Sequence, residues 1–358
     1  MASFSLIDAS SQPSQPSHPQ DHPAPRRRTP AFGSAQSARR YWVLMVALSM
    51  LAAALALLLI WWDNPMEFGS RGFWLIAERR SFSVAVMAIV ATCHGLATVA
   101  FQTVAHNRIV TPSIMGFEAL YVTIHTSLVY FFGVSGLLAF TGPLQFGVQV
   151  VVMVVLALLL YGWLLDGHRG DMQLMLLIGI IIGGGLASLS TFMRRMLSPS
   201  EFDLLTARMF GSVNNADASY LPIAVPVMAV AASVLLMKTR TLNVLSLGKE
   251  ATANLGVNYR RHTIVVLTCV ACLMAVSTAL IGPMTFLGFL VATLAYQAAD
   301  TYDHRLILPM AAVLGFVVLA GAYFVMNHIF YAQGVVSIII ELVGGLVFLT
   351  VILKKGTL

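Results

Sequence analysis

The sequence predicts an all-α polytopic membrane protein with about ten transmembrane helices. Of its 358 residues, 58% are hydrophobic and 10% are charged, whereas soluble domains carry about 25% charged residues. Apolar runs recur along the chain, and each is close to the roughly 20 residues that cross a hydrocarbon core of about 30 Å as a helix. An outer-membrane barrel would instead show alternating segments of about ten residues. Lipid therefore surrounds most of this chain, and its predicted spans are helices.

The apolar runs define the spans and the connections between them. The predicted spans are residues 41–62, 82–104, 113–132, 143–165, 172–193, 220–237, 262–281, 283–299, 306–326 and 335–353. Most connections are short, as expected for neighbouring helices that pack antiparallel. The long ones are residues 197–219 and residues 239–261.

The distribution of basic residues predicts the orientation, because positively charged loops stay in the cytoplasm. With both termini inside, fifteen of the 21 Lys and Arg residues fall in cytoplasmic segments. The exceptions lie in two outer connections, and they are Arg71, Arg79, Arg80, Arg194, Arg195 and Arg208. The net charge of +6 therefore reflects membrane topology and does not indicate nucleic-acid binding. The predicted location is the inner (cytoplasmic) membrane.

Residues 1–40 form a predicted disordered cytoplasmic tail, and residues 41–358 form the predicted transmembrane domain. The tail is rich in Pro, Ser and Gln and has almost no apolar periodicity, so it cannot bury enough apolar surface to fold. The apolar run 41–62 is longer than the 7–15 residues of a signal peptide's apolar region. We therefore expect it to remain as a membrane anchor.

Catalytic and metal-binding motifs are absent from the sequence. Gly248 and Lys249 lack the preceding glycine of an ATP-binding loop and are followed by Glu250, so we expect no enzyme activity, no cofactor and no metal in this chain. Its cysteines, Cys93, Cys269 and Cys272, lie within predicted spans. They predict neither a disulfide nor a metal site.

Ionisable residues within the spans are few, and each is a candidate functional residue because charge in a bilayer is costly. They are His94, Glu118, His125, His328 and Glu341. A proton-driven secondary transporter would need several such groups in relay, so their scarcity disfavours that class. A membrane protein without a transport role is a further alternative.

Glu341 is the sharpest of these candidates because it shares the last span with Gly344 and Gly345. A glycine pair lets another backbone approach closely. We therefore expect Glu341 to face protein or a water-filled path, and its role is either structural or path-lining.

The inner connection 239–261 contains a predicted cytoplasmic helix near residues 246–256, which ends at a glycine suited to a left-handed cap. Such a helix is either a docking element for a cytoplasmic partner or an ordinary helix at the membrane surface. Spacing alone leaves both interpretations open.

Four sequence segments, called words below, together resemble motifs of the FecCD family of ABC permeases. That family imports iron-siderophores, haem and cobalamin. The words are residues 101–116, with Gln102, Asn107, Pro112 and Gly116; residues 247–257; residues 281–288, with Gly282, Pro283, Phe286 and Gly288; and residues 344–348, with Gly344 and Gly345. The resemblance covers residues 41–358 and implies an importer permease of the large (type II) kind. At Ala292, Thr293, Tyr296 and residues 333–337 the chain departs from the common pattern. Those departures favour a ferric-siderophore permease that pairs with a non-identical one.

The resemblance implies a role for each matching residue. Contacts with the ATPase are implied for Leu247, Gly248, Glu250, Ala251, Ala253, Leu255 and Gly256. The residues of the other three words, together with Glu341, are implied to line the path or pack helices. Arg79 and Arg80 are implied to meet the binding protein. Of the two, Arg80 aligns with an arginine of the family, and the family's second arginine falls at Ser83. Anchoring to lipid phosphates is the alternative.

The implied partners are a second permease, a cytoplasmic ATPase that uses ATP, and a periplasmic siderophore-binding protein. The implied substrate is a ferric siderophore, with haem, cobalamin or a divalent metal as alternatives. The implied mechanism is alternating access driven by the ATPase.

Overall fold

A computed structural model describes residues 31–139, 142–166, 172–329 and 336–355. Contacts divide the chain into residues 1–31 and 32–358, and the description below concerns the second unit. The predicted disorder of residues 1–30 lies outside the described residues. Residues 35–40 of the predicted tail are helical: Ser34 caps the first helix by accepting a hydrogen bond from the Ser37 N–H at 3.1 Å, so that helix begins before the apolar run.

The described residues form α-helices, short 3-10 turns and no strand, which confirms the predicted all-α class. The helices are α1 Ala35–Trp61, α2 Arg71–Ala105, α3 Phe117–Ala139, α4 Pro143–Asp166, α5 Met172–Arg195, α6 Pro199–Met209, α7 Leu221–Met237, α8 Thr239–Leu245, α9 Lys249–Asn254, α10 Tyr259–Ile281, α11 Leu287–Ala299, α12 His304–His328 and α13 Val336–Lys355. The 3-10 turns are Pro112–Met115, Val213–Asn215 and Ala218–Tyr220.

Each predicted span coincides with a helix, but the helices differ in length. Among the described residues, seven helices are long and apolar enough to cross a membrane, and three shorter apolar stretches lie in α4, α11 and α13. Helix α11 has 13 residues, about 20 Å at the usual rise, so it cannot cross the hydrocarbon core alone. The predicted span 283–299 is therefore wrong at its start, because a turn follows Gly282 and delays the helix to Leu287.

Helix α2 is the central element of the bundle. It has 35 residues and packs against α10, α11 and α12. Gly95 and Gly315 bring α2 and α12 together, because a Cβ at Gly95 would lie 2.8 Å from the Ala311 carbonyl oxygen and one at Gly315 would lie 3.0 Å from that of Ala91. Lipid gives helices little hydrophobic reason to associate, so such close backbone contact stabilises the pair.

The bundle has two ends that carry different structures. At the α6 end lie the start of α2, the end of α10 and helix α6; the Ser212 N–H there donates to the Ile281 carbonyl at 2.9 Å. At the α8 end lie the end of α2, helices α8 and α9, and the starts of α10 and α12. The start of α1 lies at this end too, because the Tyr41 hydroxyl donates to the Leu306 carbonyl at 3.0 Å.

Candidate functional site

The predicted ATPase-contacting segment is a helix–turn–helix unit at the α8 end. Helix α9 lies between Gly248 and Gly256, which have φ values of +96° and +74°. Glycine adopts this left-handed region without strain. Gly256 therefore ends the helix as the sequence predicted, whereas Gly248 delays its start to Lys249. The preceding helix α8 was not predicted.

The surface of this unit is apolar at two leucines. Leu247 is 61% exposed and Leu255 is 59% exposed, and Glu250 and Ala253 are exposed while Ala251 is half-buried. The buried Thr252 connects α9 to α8 and to the turn between them. Its hydroxyl oxygen lies 3.0 Å from the Val244 carbonyl oxygen and 2.6 Å from that of Gly248. Exposed apolar residues on a rigid unit are suited to contact with another protein.

Buried polar contacts connect α8 to α2 and α12. The His304 ring lies 2.6 Å from Thr103 Oγ1 through Nε2 and 2.6 Å from Asn243 Oδ1 through Nδ1. His106 Nε2 lies 2.9 Å from the Leu245 carbonyl oxygen. Sequence reasoning missed these residues; the signal was a set of isolated polar residues at the boundaries of apolar runs.

Four predicted residues lie at the end of α2 and in the connection from α2 to α3, and their contacts are those of a packed loop. Gln102 Nε2 donates to the Arg108 carbonyl at 2.6 Å, and Asn107 Oδ1 accepts from the Ile109 N–H at 2.9 Å. Pro112 begins a 3-10 turn that ends at Gly116, where φ is +98°. A Cβ at Gly116 would lie 3.1 Å from the Gly183 Cα, so the turn sits against the middle of α5.

The turn between α10 and α11 makes similarly close contacts. A Cβ at Gly282 would lie 3.3 Å from the Gly211 Cα, and the Pro283 carbonyl faces the same glycine. Gly288, one residue into α11, lies against the Thr98 hydroxyl. A larger side chain would therefore not fit at Gly282 or Gly288 without movement of its neighbours.

Helix α13 docks on this turn through one of its two glycines. A Cβ at Gly344 would lie 2.6 Å from the Phe286 Cβ, whereas one at Gly345 would meet nothing within 4 Å. Rings of Phe286 and Phe348 pack with centroids 5.8 Å apart. The two neighbouring glycines therefore have different surroundings.

Glu341 lies on the exposed surface of the single chain. The acidic candidate Glu118 has a partner, because its Oε2 accepts a hydrogen bond from the Thr285 hydroxyl at 2.6 Å. Within the described residues, Glu341 makes no hydrogen bond or ion pair.

Arg79 and Arg80 have different positions although they are adjacent. Arg80 donates to the Trp62 carbonyl at 2.6 Å and to the Asp63 carbonyl at 3.0 Å, so it fixes the connection between α1 and α2. Arg79 is exposed and lines a cavity. The predicted docking pair is thus split between a structural contact and an accessible charge.

The cavity that Arg79 lines has a volume of about 950 Å³. It opens at the α6 end between α2, α3, α4, α10 and the segment that follows α6. His125, an ionisable candidate from the sequence, is on its wall. Of the other predicted site residues, only Gly282 is among the described residues that line this cavity.

Comparison with known proteins identifies the family. The FecCD transport family matches residues 41–354. The chain is 53% identical over 332 residues to the petrobactin import system permease protein FatC of Bacillus anthracis, with 93% of this chain and 94% of the relative covered. It is 34% identical over 278 residues to the petrobactin import system permease protein YclO of Bacillus subtilis (strain 168), with 78% and 88% covered.

A solved structure shares the fold. It is an inward-facing conformation of a metal-chelate type ABC transporter, with a TM-score of 0.75, 18% identity, and coverage of 88% of this chain and 100% of that chain. The chain belongs to the FecCD transport family, which confirms the family predicted from its sequence words. It is a transport subunit, a permease of an ABC importer.

Proposed function

We propose that this chain is the permease subunit of an importer that carries ferric siderophores of the petrobactin type across the cytoplasmic membrane. The observation that carries the proposal is the 53% identity to a petrobactin import permease over 93% of the chain. The second relative named for petrobactin import adds support at 34% identity.

The α8 end supplies the surface for the ATPase. Leu247 and Leu255 project from a unit that is hydrogen-bonded to the central helix through His106 and His304. The chain has no ATP-binding loop of its own, so a separate subunit supplies the energy. Movement of that subunit reaches α2 and α12 through these contacts.

The orientation of the chain in the membrane follows from the assignment of the α8 end to the ATPase. The α8 end faces the cytoplasm, and the α6 end, which carries Arg79, Arg194, Arg195 and Arg208, faces the periplasmic binding protein. A second, non-identical permease completes the importer. Exposed apolar residues along α5, including Ile181 and Phe192, are available for that subunit or for lipid.

Uptake in a strain that lacks the gene tests the proposal. Radioiron is supplied as ferric petrobactin, as a ferric hydroxamate or as haem, and the wild-type gene should restore uptake from ferric petrobactin. Ala251→Trp should abolish the rescue and the co-purification of the ATPase, because bulk at this half-buried position disturbs α9. Ala207→Trp, at an exposed position of α6, is the matched control. Restored uptake from haem alone would contradict the proposal.

A further inference from the structure

An arginine in the connection between α2 and α3 lies over two tyrosine rings at the α8 end. The Arg108 guanidinium carbon is 4.5 Å from the centroid of the Tyr296 ring and 5.6 Å from that of the Tyr302 ring. Both distances are within the roughly 6 Å over which a cation is attracted to an aromatic face. Within the described residues, no carboxylate forms an ion pair with this guanidinium. The two rings are therefore its partners, and we call the three residues the arginine clamp.

The arginine clamp joins two separate segments of the chain. Arg108 follows α2, whereas Tyr296 lies in α11 and Tyr302 lies in the turn between α11 and α12. Tyr302 is 79% exposed, so little besides the arginine fixes its ring. Tyr296 is a position at which the chain departs from the pattern of its family, so the resemblance does not imply this contact.

On one side, the clamp is connected to α8. Asp303, the residue after Tyr302, accepts a hydrogen bond at Oδ1 from Asn243 Nδ2 at 3.0 Å. Asn243 Oδ1 in turn accepts from the His304 backbone N–H at 3.0 Å. A displacement of α8 therefore reaches Tyr302 through two hydrogen bonds and one peptide unit, which is planar and stiff.

On the other side, the clamp is connected to α5. Gln102 Nε2 donates to the Arg108 carbonyl at 2.6 Å, which fixes the backbone of the arginine. Four residues later, Pro112 begins the turn that ends at Gly116. A Cβ at Gly116 would lie 3.1 Å from the Gly183 Cα, so the two backbones are in contact. A displacement of Arg108 therefore presses this turn against the middle of α5.

We propose that Arg108 is a positioning residue for coupling, because it makes the connection between α2 and α3 follow α8 and thereby carries movement of α8 to α5. A cation over an aromatic face has no single required hydrogen-bond direction, so the contact persists while the two segments shift against each other. The arginine acts through its neighbours and does not touch the transported chelate. The inference rests on the proposed function, because it needs an ATPase that acts at the α8 end.

The ratio of radioiron uptake to ATP hydrolysis tests the inference. The complete importer, with partner permease, ATPase and binding protein, is placed in proteoliposomes, and both rates are measured on the same vesicles with ferric petrobactin. We expect Arg108→Gln to lower the ratio about fivefold or more, because both contacts with the rings are lost. Tyr302→Leu should lower it about twofold to fivefold. Tyr302→Phe keeps an aromatic face and should remain close to the wild type.

Further variants make the measurement specific to the clamp. Arg305→Gln changes an exposed arginine at the start of α12 that is outside the clamp, and it should keep the wild-type ratio. Combining Arg108→Gln with Tyr302→Leu should cost no more than Arg108→Gln alone, because Tyr302 acts through the arginine. Co-purification of all subunits and thermal unfolding establish that each variant is assembled. A merely structural role would lower stability and leave the ratio of the assembled complexes unchanged.

The outcomes separate the inference from the proposed function. Assembled Arg108→Gln with the wild-type ratio, or an equal loss in Arg305→Gln, would overturn the inference alone. Loss of the ATPase from Arg108→Gln and Tyr302→Leu during purification would show that these exposed residues dock the ATPase, which also overturns it. A wild-type importer that carries no ferric siderophore would refute the proposed function and the inference together.

Discussion

His304 Nδ1 lies 2.6 Å from Asn243 Oδ1, which joins the first residue of α12 to the middle of α8. Asn243 Nδ2 donates to Asp303 Oδ1 at 3.0 Å, so the asparagine presents its oxygen to the histidine. Nδ1 of His304 therefore carries the proton. The His304 backbone N–H donates to the same oxygen at 3.0 Å. Helix α8 is thus held to α12 by two hydrogen bonds to one atom.

Replacing His304 is expected to uncouple transport from ATP hydrolysis. His304→Leu leaves Thr103 and Asn243 without their shared partner, and α8 can then move without carrying α2 and α12. We expect radioiron uptake to fall about tenfold, equivalent to about 1.4 kcal/mol, while the complex still hydrolyses ATP. Both rates are measured on the same proteoliposomes.

Two variants make that experiment specific. His304→Asn can preserve a donor toward Asn243 and should retain more uptake than His304→Leu. His328→Leu changes a histidine at the other end of α12, whose Nδ1 lies 3.2 Å from the Phe324 carbonyl of its own helix, and it should leave coupling intact. Normal uptake by His304→Leu would show that these contacts do not transmit the movement.

Arg79 and Arg80 should give opposite results when each is changed. Arg80→Ala removes two charge-assisted hydrogen bonds to the connection between α1 and α2, and we expect a loss of about 1–3 kcal/mol in stability because the site is half-buried. Arg79→Glu should leave thermal stability unchanged and weaken docking of the binding protein, more strongly at low salt. Thermal unfolding and docking are measured for both variants.

Arg71→Glu is the control for charge reversal on the same helix. Equal loss of docking in Arg71→Glu and Arg79→Glu would assign the effect to general charge on this surface. A fully stable Arg80→Ala would contradict the structural role of its two hydrogen bonds.

The sequence predicted the spans because lipid imposes a strong requirement on each one. A helix that crosses the bilayer needs about 20 apolar residues, and this signal survives without tertiary information. Boundaries were less predictable: α3 begins at Phe117 and not at residue 113, because Pro112 and Gly116 form a turn that is itself apolar. Helix α8 escaped prediction because it has only seven residues, among which Thr239, Thr241 and Asn243 are weak helix formers.

The cavity could not be predicted because its residues are distant in sequence. Arg79 lies on α2, Gln149 on α4 and Arg208 on α6, and only tertiary packing brings them to one cavity. None of them belongs to the four family-like words. By contrast, Gly248 and Gly256 were predictable because a positive φ is a local requirement. The four family-like segments therefore described turns of the chain better than they described its cavity.

The neighbouring glycines of α13, Gly344 and Gly345, allow a matched pair of substitutions. Gly344→Ala places a Cβ 2.6 Å from the Phe286 Cβ, and overpacking of this kind costs about 1–3 kcal/mol. Gly345→Ala places its Cβ in open space and should be neutral for the fold of the chain. Thermal unfolding in nanodiscs compares the two variants. Equal stability would show that α13 does not depend on close contact at Phe286.

Two substitutions of Glu341 distinguish a role in lining the path from a structural role. If its charge lines the path, Glu341→Gln should assemble with the partner subunits but change uptake, because shape is retained while charge is lost. If the carboxylate is structural and bonds to the second permease, Glu341→Gln should transport nearly normally and Glu341→Leu should fail to assemble, since its partner would be left unpaired at a cost of about 1–3 kcal/mol. Its exposure on the single chain is compatible with both roles, so assembly and uptake are measured together. Normal uptake by a correctly assembled Glu341→Leu would exclude either role and leave this carboxylate facing water or lipid headgroups.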